Sequence, residues 1–255
     1  MLEAVILGIV QGLTEFLPVS STAHLILLPW FFNWNGAVDS LTFDIALHGG
    51  TLCALLLSFW KDWVELIVRK RKLFAFILAA SVPGGVAGFL LNDIVESAIR
   101  SPVIISAMLI IVGLVMLLSE KAYKYKSMDT MTFGNALFIG VAQAVAIIPG
   151  VSRSGITIAA GLFAGMEREA SARFSFLLST PIIAGAVLLH AAKVVRGAEY
   201  YDFSLYASGL VASFFTGLIA IHFMLRFLRK YPMNLFVFYR FALAVVIIAG
   251  VWLRA

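Results

Sequence analysis

Six apolar runs, each long enough to cross a lipid bilayer, decide what this chain can fold into. They lie at about 43–60, 74–91, 102–118, 174–191, 205–225 and 234–253. A helix spanning the ~30 Å hydrocarbon core needs roughly 17–25 residues. Apolar residues make up 62% of the chain and charged residues 13%, against about 45–50% and about 25% in soluble domains. A soluble chain of 255 residues has too little interior for that much apolar surface, so the expected solvent is lipid. The formal charge of +5 comes from 19 basic residues scattered between apolar runs. They form no stripe, which argues against a nucleic-acid partner. Cys53 is the single cysteine and excludes an intrachain disulfide. The N-terminus lacks the basic region and small-residue cleavage site of a signal peptide.

Two further regions, 2–30 and 133–165, are apolar but interrupted. Glu15, Pro18 and Ser20-Ser21-Thr22 break the first; Pro149-Gly150 and Ser152-Arg153-Ser154-Gly155 break the second. Non-helical backbone at membrane depth needs protein or water around it, so each region reads as a re-entrant pair of half-helices. Charge supports that reading. If both regions enter and leave on one side, 13 basic residues, including Lys61, Arg69 to Lys72, Lys121, Arg168, Arg173, Arg226, Arg229 and Lys230, share a face. Four, Arg100, Lys193, Arg196 and Arg254, lie opposite. A crossing at 133–165 would give 11 against 6. The positive-inside bias favours the re-entrant version, with six crossings and both termini outside.

An offset of 132 aligns Gly8 with Gly140, Gln11 with Gln143, Val19 with Val151 and Ser20 with Ser152. Each half is then one re-entrant pair followed by three crossings, an odd number that inverts the second half. The expected architecture is a single all-α polytopic membrane domain over 1–255. Its two inverted-topology repeats cover about 1–120 and 133–255. Inverted repeats bring broken helices together near the midplane, with half-helix N-termini facing an anion.

The interruptions carry the chemistry. Asp and Arg at membrane depth cost roughly 2.5–3.5 kcal/mol even on lenient scales, so they persist where they pair or line a watery site. Pro149-Gly150 stops a helix and Ser152 to Gly155 start the next, offering unpaired backbone N–H groups and a positive dipole end. Arg153 adds a fork suited to phosphate, and Ser152, Ser154 and Thr157 add hydroxyls. The first interruption repeats the device with Pro18, Ser20, Ser21 and Thr22, then adds Glu15 and His24. Ser21 and His24 fall on one helical face, a nucleophile-and-base spacing, and Glu15 could orient the imidazole or hold a divalent ion. Alone, Ser-Ser-Thr would be an ordinary helix cap. Two matched breaks holding Arg, Glu and His favour a site. Asp44 and His48 share a helix face beside it, as supporting groups or as a packing pair. His190 and His222 read as packing or interface residues, and Arg240 as an interface anchor.

Other chemistries find no support: the sequence has no phosphate-binding loop, H-E-x-x-H pair or nucleophile elbow. No organic cofactor is expected.

At these residues the chain resembles the undecaprenyl-diphosphate phosphatase family, the bacitracin-resistance protein type. The matching elements are Gln11 to Glu15, Leu17-Pro18-Val19-Ser20-Ser21-Thr22-Ala23-His24, and Pro149 to Thr157, with Phe43-Asp44 and Leu47-His48-Gly49 in support. The resemblance implies hydrolysis of a polyprenyl diphosphate to the monophosphate and phosphate at the cell membrane, recycling the lipid carrier for cell-wall synthesis and conferring bacitracin resistance. It implies that Arg153 binds diphosphate with help from Gln11, Ser20, Thr22, Ser152, Ser154, Gly155 and Thr157. Ser21, His24 and Glu15 carry the nucleophile and acid–base roles, with serine and histidine both open as nucleophile. A divalent cation, Mg²⁺ or Ca²⁺, is implied by the family only, with Glu15 as its ligand; Gln11 replaces a glutamate found in many members. A second copy of the chain is a further candidate partner. The alternative from another class is a lipid-phosphate flippase or anion transporter, which would use the arginine and helix ends but not a Ser21–His24 pair.

Overall fold

The computed structural model describes residues 1–98, 101–195 and 202–254. The chain is helical: α1 (Leu2–Phe16), α2 (Ser21–Phe32), α3 (Leu41–Ser58), α4 (Trp60–Val68), α5 (Arg71–Ala98), α6 (Pro102–Ser119), α7 (Phe133–Val145), α8 (Arg153–Phe163), α9 (Arg168–Val195), α10 (Phe203–Lys230) and α11 (Asn234–Arg254). Short 3₁₀ turns lie at Ala37–Asp39 and Met128–Thr130. Six helices are long and apolar enough to cross a membrane: Leu41–Ser58, Arg71–Leu91, Pro102–Ser119, Arg168–Ala192, Phe203–Lys230 and Asn234–Arg254. They coincide with the six runs within a few residues. Their outward faces are apolar, with Phe89, Leu188, Phe215 and Val245 all exposed, as lipid-facing surface should be. This is a multi-pass membrane protein.

The stretch between the first two runs, where Lys61 and Arg69 to Lys72 fall, reads from sequence as a connection outside the apolar spans, but Trp60–Val68 is helical. Leu66 is buried while Trp60, Val64 and Ile67 are exposed beside Lys61 and Asp62. Nine residues cover about 14 Å at 1.5 Å each, too short to cross. The mixture suits a helix lying along the bilayer interface.

Small residues let helices approach closely. A Cβ on Gly8 would collide with the Gly209 carbonyl of α10, and one on Gly140 with that of Ala80 in α5. The first limb of each broken region thus packs on a long helix of the other half, with glycines at equivalent positions at both contacts. Lipid tails give no hydrophobic drive between helices, so such close packing carries the association. Ser213 of α10 donates to the Leu47 carbonyl of α3 at 2.8 Å.

Charged groups gather at one end. Arg173 pairs with Asp62, Arg168 with Glu120, Arg229 with Glu169, and Lys70 with Asp129. The Met233 N–H donates to Glu120 Oε1 at 2.9 Å. These bonds join the connections α3–α5, α6–α7, α8–α9 and α10–α11. The segments flanking α7 and α8 also meet, Tyr125 N–H donating to the Gly165 carbonyl at 3.0 Å. At the other end Arg254 donates to the Trp30 and Phe31 carbonyls at 2.8 and 3.0 Å. Arg100, Arg196 and the side chain of Lys193, assigned to that end from sequence, lie outside the described residues.

Candidate active site

The two breaks have the same backbone construction. Ser20 and Ser152 both take positive φ, 75° and 71°, and each caps the following helix. Ser20 Oγ accepts from Ala23 N–H at 3.4 Å, and Ser152 Oγ from Gly155 N–H at 3.2 Å. A non-glycine residue in this region costs about 1–3 kcal/mol and persists only where its surroundings enforce it. Here the reversed serine lets the chain restart a helix at once. Both new helices, α2 and α8, aim their positive N-terminal ends at one small polar hollow of about 30 Å³. Its lining includes Glu15, Ser20, Ser21 and Thr22 from one break and Ser152 and Arg153 from the other, closed by Thr14, Ala146 and Ile148.

Glu15 is the centre of that hollow. Its Oε2 accepts from Ser21 Oγ at 2.7 Å and from Gln11 Nε2 at 3.1 Å. The same oxygen lies 3.5 Å from His48 Nε2, while Oε1 lies 3.4 Å from Arg153 Nη1. Four helices, α1, α2, α3 and α8, and both halves of the sequence therefore meet on one carboxylate. His48 Nδ1 donates to the Asp44 carbonyl at 2.7 Å, so an attractive contact with Glu15 requires a proton on Nε2 as well. His48 is thus a direct neighbour of the carboxylate. Arg153 Nη1 is buried and, beyond its ion pair with Glu15, has no hydrogen-bond partner, so it keeps donor capacity for an incoming anion.

Other expected residues are placed elsewhere. His24 does not meet Ser21: its Nδ1 donates to the Ser20 carbonyl at 2.7 Å and its Nε2 accepts from Tyr239 Oη at 2.7 Å. The two rings stack with centroids 5.8 Å apart. The helical spacing was right, but Glu15 offered Ser21 a stronger acceptor. Ser154 donates to the Leu17 carbonyl at 3.2 Å and lies 3.3 Å from Ser152 Oγ, tying one break to the other. Thr157 is fully buried, donating to the Arg153 carbonyl at 2.7 Å and meeting Ser175 Oγ at 2.6 Å. Gly155 packs against Ser152 and Met116. These three support the lining without forming it.

The family model described as Bacitracin resistance protein BacA matches residues 4–246. The chain belongs to this family. Among its relatives, the undecaprenyl-diphosphatase of Thermodesulfovibrio yellowstonii is 54% identical over 247 residues, covering 97% of this chain and 96% of the relative. That of Desulforudis audaxviator is 45% identical, covering 99% and 98%. That of Moorella thermoacetica is 44% identical, covering 100% and 99%.

One residue that ties the two breaks of this bacitracin-resistance-family chain together escaped sequence reasoning. Arg240 is no interface anchor: it is wholly buried. Its guanidinium donates to the carbonyls of Pro18 at 3.3 Å, Gly150 at 2.9 Å and Val151 at 3.2 Å. It also reaches Leu109 at 3.1 Å and Met108 at 3.2 Å in α6. The breaks leave carbonyls outside any helical ladder, and a buried carbonyl needs a donor. The five-donor fork of arginine meets that need for both breaks at once. Its position nearly two turns into an apolar helix that starts at Asn234 was the available signal, because a snorkelling cation sits at a helix end.

Proposed function

We propose that this chain is a membrane phosphatase that hydrolyses undecaprenyl or a similar polyprenyl diphosphate to the monophosphate and inorganic phosphate. The supporting observation is the Ser21–Glu15 hydrogen bond, held beside Arg153 by two breaks roughly 130 residues apart in sequence. A hydroxyl on a carboxylate under a cationic fork is a nucleophile, a base and an anion clamp in contact. The names of the relatives agree with this reading. A carrier would need the fork but has no use for Ser21 on Glu15.

In the proposed reaction, Arg153 turns from Glu15 to the terminal phosphate, which frees the carboxylate to act as base. Ser21 Oγ attacks the terminal phosphorus as its proton passes to Glu15. The bond from phosphorus to the bridging oxygen breaks, and polyprenyl monophosphate leaves with that electron pair and takes the proton from Glu15. Water then attacks the phosphoserine, giving its proton to Glu15 and on to the departing Ser21 oxygen. Phosphate is released and both side chains are restored. Positioning and charge stabilisation carry most of the rate in such transfers. His48 and Gln11 hold Glu15 in place, and the His24–Tyr239 pair braces the start of α2.

Among the described residues no three His, Cys, Asp or Glu side chains form a metal-ligating group. A divalent cation, Mg²⁺ or Ca²⁺, would rest on Glu15, on Gln11 Oε1, which is buried without a partner, and on the diphosphate oxygens. That set fits a cation that favours one or two carboxylates plus substrate phosphate. When bound it would neutralise phosphate charge.

In the same proposal, each broken region is re-entrant and the halves at about 1–120 and 133–255 are inverted repeats of one domain. The Tyr125–Gly165 contact and the twin Ser20 and Ser152 turns support this. The basic end then faces the cytoplasm of a plasma-membrane protein. Purified protein in detergent, given a long-chain isoprenyl diphosphate, should release phosphate. Arg153→Ala should lower the rate about 10²–10³-fold, the usual cost of losing a preorganised charge-stabilising donor. Near-normal release from that variant would overturn the assigned clamp.

A further inference from the structure

A second concave feature lies away from the hollow, along the last three turns of α10. It is an open trough of about 810 Å³, within the range of about 300–1,000 Å³ typical of small-molecule sites. Side chains four apart on a helix stand one above the other, and two such rows line the trough. One row is His222, Arg226 and Lys230; the other is Phe223, Phe227 and Tyr231. The aromatic row is continuous, with ring centroids 5.6 Å apart between Phe223 and Phe227 and 5.2 Å between Phe227 and Tyr231. Beneath both, Leu218 and Ile219 carry an apolar floor toward mid-helix.

We propose that this trough binds an anionic glycerophospholipid from the leaflet at the basic end. Arg229, at the rim, is tied to Glu169. Arg226 and Lys230 are exposed, and among the described residues neither lies within salt-bridge distance of a carboxylate. Placing like charges four apart on a helix costs a few tenths of a kcal/mol. The negative end of the helix dipole offsets part of that cost, but it would do so for cations on any face. It gives no reason for a cationic row to stand beside an aromatic one. A phospholipid satisfies both. Its phosphate accepts the Arg226 fork and the Lys230 ammonium, and its acyl chain runs down the rings to Leu218 and Ile219. Position selects this occupant, since the polar rim sits at the end of a crossing helix and the apolar floor sits within the span.

The test is native mass spectrometry of detergent-purified protein with phosphatidylglycerol or phosphatidylcholine of matched chains. Wild type should retain phosphatidylglycerol several-fold more than phosphatidylcholine. The double variant Arg226→Gln/Lys230→Gln should lose that preference while releasing phosphate from isoprenyl diphosphate at the wild-type rate. Lys61→Gln/Lys121→Gln, which removes two exposed basic residues near the same end but off the trough, should keep the preference. Equal retention of both lipids by wild type would overturn the proposal. So would an equal loss in both double variants, which would mean general surface charge. A dimer that dissociates when Arg226 and Lys230 are replaced would also overturn it, by assigning the face to a second copy of the chain.

Discussion

Replacing Arg240 with methionine tests the joint between the two breaks, because it keeps the length and removes every donor. Five carbonyls lose a partner, but the two in α6, Met108 and Leu109, lie inside a helix and keep their ladder bonds. Those of Pro18, Gly150 and Val151 lie outside any helix and become orphans. A buried acceptor without a donor costs about 1–3 kcal/mol. Removing a buried charge returns some desolvation energy, so the lower end of that range applies, giving roughly 3 kcal/mol for three groups. At about 2–4 °C per kcal/mol for chains of 150–250 residues, the melting temperature should fall by roughly 6–12 °C. Thermal unfolding in detergent, followed by tryptophan fluorescence, reads this directly. Phosphate release should fall in parallel, since both helix starts shift. Arg240→Lys should fall between, because a point ammonium cannot span both breaks. An Arg240→Met protein that melts with wild type and keeps its activity would refute the reasoning.

Ser152→Gly should leave stability within about 0.5 kcal/mol, since glycine loses the cap but accepts positive φ without strain. Ser152→Ala should cost about 1 kcal/mol, and equal melting of the two variants would contradict this. Burial raises the pKa of Glu120, but hydrogen bonds from Arg168 and the Met233 N–H, together with Lys124, outweigh it and hold the carboxyl below the usual 4.5. A lowered folded-state pKa gives stability that is present above the ordinary value and lost as pH falls through the folded one. Wild type should therefore lose stability below about pH 4.5 more steeply than Glu120→Gln; parallel acid profiles would sink that assignment.

Hydropathy is a local property, and the six crossings were accordingly legible residue by residue. Breaks at Pro18 and Pro149 were legible for the same reason: proline and a cluster of hydroxyls interrupt an apolar run wherever it goes. That Glu15 and Arg153 would meet followed from charge, since neither is tolerable alone at membrane depth. The partner of each polar group was not legible. Ser21 has both His24 and Glu15 within local reach, and only the turn at Ser20 decides for Glu15. His24 finds Tyr239 and Arg240 finds Pro18, contacts that span more than 200 positions. Amphipathic α4 was hidden because its charges match those of a loop.

Everything rests on Ser21 and Arg153 serving one reaction in one hollow, and a double-mutant cycle on phosphate release measures that directly. Groups that act as a unit are strongly non-additive. Ser21→Ala and Arg153→Ala should each remove most of the rate, and the double variant should be little slower than the worse single one. Losses that multiply in full would mean the two residues act independently, and the shared site would be wrong.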